Sequence, residues 1–448
     1  INLTMKAMGL PIFLTSLTTI IAFLAMFYAP ITQLMGYGIV VSFGIFWAWF
    51  LSNSLLPSML LLSRWDLKAN FISKLGFLEK FINNLGNIIF NYPKRTLLIG
   101  LSFILFGLVG ISLLKVEVNI IKFFKSENSI RKSTEFVDQN FGGTMSLLMR
   151  VNGDMDSPKT FNRISEIQDY IETHPEVKMT ASLSDLIKEA HKTLYNHDDF
   201  YTIPDSLNQV RNLLFMLPKE QKISFVNTTT YKTGMVHTYL TSLSTDEIVT
   251  ISNDIENYID QTSNGQLKIE TSGLMIILKD FISMIIESSI ISIVVSIIAI
   301  FIVSFLFFKR LIWAALSVMP LSSAVILNFG LMGIFGVKLS HLTALLTSII
   351  IGVGVDFAVH YISSYRRHCK NQSDASKISM LTIRDVGYPI MLDVVSNMGF
   401  AALLFSDIVP LNYMGGLMIF AMISTSFGTF LLMGTTIEII TKNKGKII

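Results

Sequence analysis

Eight long apolar runs decide what this chain can fold into. They cover residues 11–28, 34–62, 96–114, 281–308, 311–335, 341–365, 388–405 and 411–440. Each approaches or exceeds the roughly 20 residues of helix that cross a hydrocarbon core. Backbone inside lipid has to satisfy its own N–H and C=O groups, so runs of this kind become helices. The expected class is a polytopic α-helical membrane protein.

Charge places the rest. Only 15% of the 448 residues are charged, and the mean hydropathy is +0.56; soluble domains carry about 25% charge. Residues 115–279 hold 17 Lys and Arg against 22 Asp and Glu, while everything outside holds 18 basic and 10 acidic residues. One acidic, soluble-looking insert therefore sits inside a basic, hydrophobic remainder. The single cysteine, Cys369, leaves no disulfide framework, and it faces the reducing side of the map below. The basic residues flank apolar runs and form no patch with aromatics, so nucleic acid is not expected as a partner. No signal peptide is evident, and the chain opens on Ile1. It reads as a piece of a longer polypeptide, cut in a loop.

If the helices alternate, 17 of the 18 basic residues outside the insert fall on one side and only Lys338 opposite. The positive-inside rule makes that side cytoplasmic and the insert external, which in a diderm bacterium is periplasmic. The domain map is then 1–62, membrane helices ending a first half; 63–95, a cytoplasmic amphipathic linker; 96–114, a membrane helix; 115–279, the insert; 280–441, five membrane helices; and 442–448, a cytoplasmic tail.

Inside the insert, 145–151 alternates as a strand, 157–173 has helical period and 177–182 returns as a strand. The pattern repeats at 235–243, 245–262 and 266–272. Two such units predict a split βαβ, ferredoxin-like α+β domain. Between them 183–218 reads as helical, with breaks near Pro204 and Pro218. In 63–92, Trp65, Leu67, Phe71, Ile72, Leu75, Leu78 and Phe81 interleave with lysines, as in a helix lying along a membrane surface.

The chain also repeats itself. Gly9-Leu10-Pro11-Ile12-Phe13-Leu14 returns as Gly387-Tyr388-Pro389-Ile390-Met391-Leu392, offset by 378 residues. Each copy is followed by an apolar stretch, a proline-containing external loop, a Met-Gly pair and a long helix. Proline there suits a first helical turn. Duplicated hydrophobic segments point to a transporter built from two similar halves.

Chemistry concentrates in Ile351-Gly352-Val353-Gly354-Val355-Asp356-Phe357-Ala358-Val359-His360. Asp356 lies ten residues from the basic Arg366, roughly 15 Å along a helix, near the bilayer centre. An acid at that depth is costly to insert, so it faces protein and usually serves function. Poor solvation of the ionised form suits it to proton exchange. Gly352 and Gly354 allow a neighbouring helix to come close.

Gly-x-Gly-x-Asp-Phe-x-x-His with Tyr365-Arg366-Arg367 resembles the tenth transmembrane helix of the resistance–nodulation–division (RND) superfamily, in its branch of MMPL-like hydrophobe exporters and hopanoid-type transporters. That branch is also similar to sterol-sensing-domain proteins. Gly9 to Thr19 resembles the start of the superfamily's fifth helix. The resemblance spans essentially the whole chain. It implies an RND-type helix bundle with a periplasmic porter domain, and proton-driven export of hydrophobic or lipidic molecules across the inner membrane. No cofactor is implied beyond the proton gradient. The implied partners are membrane lipids, the exported substrate and a missing N-terminal half, with a homo-oligomer left open.

Two departures from the family pattern stand out. Phe357 replaces the usual tyrosine, and the Ser/Thr-rich eleventh helix carries Asp393 and Asn397. Those two share a helix face and either supplement a proton relay at Asp356 or, for Asn397, bond helices together. His360, one turn below Asp356, either passes protons inward or bonds a backbone carbonyl at the interface. Glu287 is read as snorkelling from an outer turn. His191, His197, Asp198 and Asp199 are read as a solvated, loop-like stretch, with no metal expected. No Gly-x-x-x-x-Gly-Lys-Ser/Thr loop is present to use ATP, and no nucleophile–base pair suggests an enzyme. The alternatives to an exporter are a sterol-sensing-type receptor and an auxiliary protein-translocation subunit of the same superfamily.

Overall fold

The computed structural model describes residues 2–62, 76–262, 267–371 and 375–444. It divides into two compact units, Ile1–Val116 with Met284–Ile448, and Glu117–Ser283. The first opens with α1 (Asn2–Leu24), α2 (Thr32–Leu62), α3 (Gly76–Asn91) and α4 (Pro93–Ile111). The second contains α5 (Ser129–Asn140), β1 (Met145–Asn152), α6 (Pro158–Ile171), β2 (Val177–Ala181) and α7 (Leu183–Tyr195). It continues with α8 (Leu207–Met216), α9 (Lys219–Lys222), β3 (Thr233–Leu240), α10 (Thr245–Thr262) and β4 (Lys268–Ser272). The chain returns through α11 (Leu274–Phe308) to α12 (Leu311–Ile334), α13 (His341–Asn371), α14 (Ala375–Asn397), α15 (Val409–Phe427) and α16 (Thr435–Lys444).

Eight helical stretches among the described residues are long and apolar enough to span a membrane. Two of them change winding. Met398–Phe405 extends α14 as a 3₁₀-helix, and Gly428–Gly434 joins α15 to α16 as a π-helix. Both forms are uncommon at such length and tend to mark functional segments.

The closest helix crossing is made by glycines. A Cβ on Gly330 would lie 2.3 Å from the Gly107 carbonyl oxygen, and one on Gly333 only 1.9 Å from that of Gly110. Gly107 and Gly110 on α4 thus meet Gly330 and Gly333 on α12 backbone to backbone. In lipid, where apolar surface gains nothing by leaving the solvent, this kind of close packing holds helices together.

Some sequence expectations need correcting. Pro11 and Pro389 lie inside α1 and α14, not in a first turn, because both helices start well before the proline. The third span starts at Pro93 and ends at Ile111, α11 starts at Leu274, and the inserted unit runs from Glu117 to Ser283. Residues 63–75 of the amphipathic linker lie outside the described residues. Its remainder is α3, which packs on the bundle: Ile82 and Ile89 are buried, and a Cβ on Gly387 of α14 would sit 2.6 Å from Ile82. The amphipathic period there reports contact with protein, which needs an apolar stripe as much as lipid does.

In the soluble unit the four strands form one antiparallel sheet in the order β2-β3-β1-β4. Each strand–helix–strand unit is split by one strand of the other, as in a ferredoxin-like sandwich. Period-two burial makes the sheet's inner face: Met145, Leu147, Met149 and Val151 on β1 are buried. The facing helices supply Phe161, Ile164, Ile167 and Ile171 from α6 and Ile248, Ile251, Ile255 and Ile259 from α10. Helices α7 to α9 replace the hairpin between β2 and β3. Ser182 and Asp185 form a capping box that starts α7.

Candidate functional site

Helix α13 is held on several sides, and its glycines decide how tightly. A Cβ on Gly352 would lie 3.0 Å from Thr19 and 3.3 Å from Phe23 of α1, and one on Gly354 2.8 Å from Thr425 of α15 and 2.9 Å from Leu321 of α12. Thr19 Oγ1 donates a hydrogen bond of 2.9 Å to the Gly352 carbonyl. That carbonyl stands four residues before Asp356, so it is the helical acceptor for the Asp356 N–H. The backbone at Asp356 is thereby anchored to α1.

The Asp356 side chain is only half-buried as a residue, yet its Oδ1 is buried and has no hydrogen-bond partner among the described residues. Polar atoms in that condition are rare and call for an explanation. The carboxylate faces a cavity of about 650 Å³ that His360, Asp385 and Asp393 also line. Phe357 is buried beside it and brings no hydroxyl.

The structure brings three of the expected residues together around this cavity: Asp356 and His360 from α13, and Asp393 from α14. Asn397 does not join the lining. Its amide donates to the Asp393 carboxylate at 3.2 Å and to the Asp393 carbonyl at 3.0 Å, so it orients Asp393 from one turn away. At the repeat offset of 378, Thr15 and Thr19 stand where Asp393 and Asn397 stand. The two copies thus place hydroxyls in one half and an acid–amide pair in the other.

Other candidates disperse. Glu287 is exposed on α11. His191 is not in a loop, since it lies on α7, buried, with Nδ1 2.8 Å from the Thr202 carbonyl. Asp198 pairs with Lys192, and Asp199 with His197. The helical reading of 183–218 covers His191, and only the loop-like reading of this residue fails. Burial in α7 comes from Leu183, Ile187 and His191 itself, and the histidine fills the third apolar position.

Two acids were not singled out from sequence. Asp385 Oδ2 accepts from Arg367 and His368 of α13. Glu438 is 1% exposed, accepts from Ser379 of α14 at 2.5 Å and pairs with Lys442 at 3.1 Å. Next to it the Tyr365 hydroxyl meets Thr441 at 2.9 Å. An acid inside the last apolar run was the signal for Glu438; for Asp385 it was an acid two residues before the repeated Gly-x-Pro.

Residues 235–437, which include α11 to α15 and every cavity acid, match the model of the MMPL family. The chain carrying the MMPL segment is also 22% identical over 339 residues to a membrane protein of Methanocaldococcus jannaschii, covering 72% of this chain and 84% of that one. Among solved structures it is similar to the hedgehog release protein Disp of the water bear Hypsibius dujardini, with a TM-score of 0.66 at 14% identity, over 95% of this chain and 57% of that chain. A heavy metal efflux pump gives a TM-score of 0.60 at 12% identity, over 98% of this chain and 60% of the pump. The chain therefore spans less than two thirds of the solved structures it matches. At these identities the likeness shows the fold alone, which is RND-type: a membrane helix bundle carrying an α+β domain. The chain is a multi-pass membrane protein whose residues 235–437 match the MMPL family.

Proposed function

We propose that this MMPL segment is part of a proton-driven exporter of hydrophobic or lipidic molecules in the inner membrane, with the ferredoxin-like unit on the periplasmic side. The observation that carries the reading is the Asp356 carboxylate, with one buried, unpartnered oxygen facing a cavity shared with His360 and Asp393. A carboxylate so placed can be neutral or charged according to which side it communicates with. A change in its charge biases which helix arrangement is stable. His360 and Asp393 are the groups it exchanges protons with, and Asn397 orients Asp393. The activity requires the rest of the longer protein, and the energy source is the proton gradient with no bound cofactor. In full-length protein reconstituted into vesicles, export of a fluorescent lipid should follow an imposed pH gradient and stop when a protonophore collapses it. Export unaffected by the protonophore would refute the proton-driven reading.

The orientation has its own test. Cysteines placed at Lys309 and Arg366 should be protected from an impermeant maleimide in intact cells, and cysteines at Lys338 and Asp407 should be labelled. The opposite pattern would invert the map.

A further inference from the structure

One carboxylate at the end of this cavity is bonded from across the helix seam. Asp385 Oδ2 accepts from Arg367 Nη2 at 2.8 Å, His368 Nε2 at 2.8 Å and Ser364 Oγ at 3.4 Å. The donors lie on the last turns of α13 and the acceptor on α14. Ser364, Arg367 and Asp385 also line the cavity. Arg367 is eleven residues from Asp356 and Asp385 eight from Asp393, roughly 16 and 12 Å along their helices. The cluster therefore lies at the far end of the cavity from the two membrane acids, on the basic side of the bundle.

The α14 backbone has a weak point at this cluster. Pro389 has no N–H to give the Asp385 carbonyl four residues earlier, so α14 lacks one of its own bonds there. Helices bend readily at such positions. The part before the proline is anchored: Arg384 Nε donates to Asn83 of α3 at 2.9 Å, and Gly387 packs on Ile82. The part beyond it, with Asp393, is exposed. At the repeat offset, Ala7 stands in place of Asp385, so only one half has this cluster.

We propose that Asp385 is a positioning residue whose bonds to Arg367 and His368 latch α14 to α13 and shut the Asp356 cavity toward the cytoplasm. The proposal rests on the orientation and cavity of the proposed function, and it adds regulation to that site. The other charged groups around the latch are Arg366 and Lys370 on α13 and Arg384 on α14; α3 contributes the neutral Asn83, and α1 and α11 line the cavity with Leu10, Pro11, Phe307 and Phe308. Arg367 makes a charge-assisted bond to the carboxylate, roughly twice as strong as a neutral one, and His368 and Ser364 bond the same oxygen. Three bonds across the seam hold the two helices together at this end of the cavity.

Ser363 provides the probe, because its buried hydroxyl lines the cavity and has no partner among the described residues. Full-length protein carrying Cys369→Ser and Ser363→Cys is placed in inside-out vesicles without gradient or substrate. Labelling by an impermeant maleimide is followed at one pH. Asp385→Asn should raise the labelling rate about five-fold, and Arg367→Gln, which removes the charged donor on the other helix, should raise it as well. Either variant labelling at the parent rate would overturn the latch. Because the assay involves no transport, loss of the export reading leaves this result readable, and a failed latch leaves the Asp356 test intact.

Discussion

Asp356→Asn in the full-length protein should abolish gradient-driven export while expression and membrane insertion stay at the parent level. The amide keeps the volume and hydrogen-bonding reach of the carboxyl group but has no proton to exchange. A merely structural aspartate would tolerate it, since the Oδ1 has no bond to lose. Phe357→Tyr should be accepted, because it adds one hydroxyl beside a 650 Å³ cavity. Asp393→Asn should impair export less than Asp356→Asn, because Asp393 is the more exposed acid and is bonded by Asn397. Efflux against an imposed pH gradient, with protein amounts matched, is the measurement. Parent-level efflux from Asp356→Asn would remove the proton site from α13 and pass the role to Asp393.

The largest loss of stability is expected at Gly333. Its Cβ position lies 1.9 Å from a backbone oxygen and 3.2 Å from the Leu114 nitrogen. Backbone cannot swing aside as a side-chain tip can, so Gly333→Leu must push α4 and α12 apart. Overpacking a well-packed site costs about 1–3 kcal/mol, and more where nothing can give; the expectation is the upper end or beyond, seen as poor extraction and a lower melting temperature in detergent. Gly399→Ala is the control, because nothing lies within 4 Å of its Cβ position. A Gly333→Leu protein that melts with the parent would show that this crossing is looser than its geometry.

What could be seen in the sequence depended on how local the cause was. The spans were legible because hydrophobic length is a property of one segment. The split βαβ unit was legible because strand and helix periods differ and the pattern occurs twice. Asp356 was visible as an acid deep in an apolar run, and Asp393 and Asn397 as one helix face, which their direct hydrogen bond matches. The α4–α12 crossing was harder to see. Gly107-x-x-Gly110 and Gly330-x-x-Gly333 each look like ordinary membrane glycines, and only the pairing of two segments far apart in sequence gives them meaning. Asp385 and Glu438 were concealed for a similar reason: their partners lie on other helices, and pairing across helices has no period. The prolines misled because a residue suited to a first turn is also tolerated inside a membrane helix.

The π-helical stretch Gly428–Gly434 sets the angular phase of everything after it. Bonding from i to i+5 turns the chain less per residue than an α-helix does, so α16 presents a different side than an unbroken helix would. Thr441 reaches Tyr365, and Glu438 reaches Ser379, only in that rotated setting. The Tyr361 hydroxyl lies 3.1 Å from the Cβ position of Gly434, where any side chain would crowd it. Length in this stretch is therefore constrained separately from composition. Exchanging one apolar residue for another leaves the last helix facing its partners, whereas adding or removing a single residue turns both polar contacts away at once.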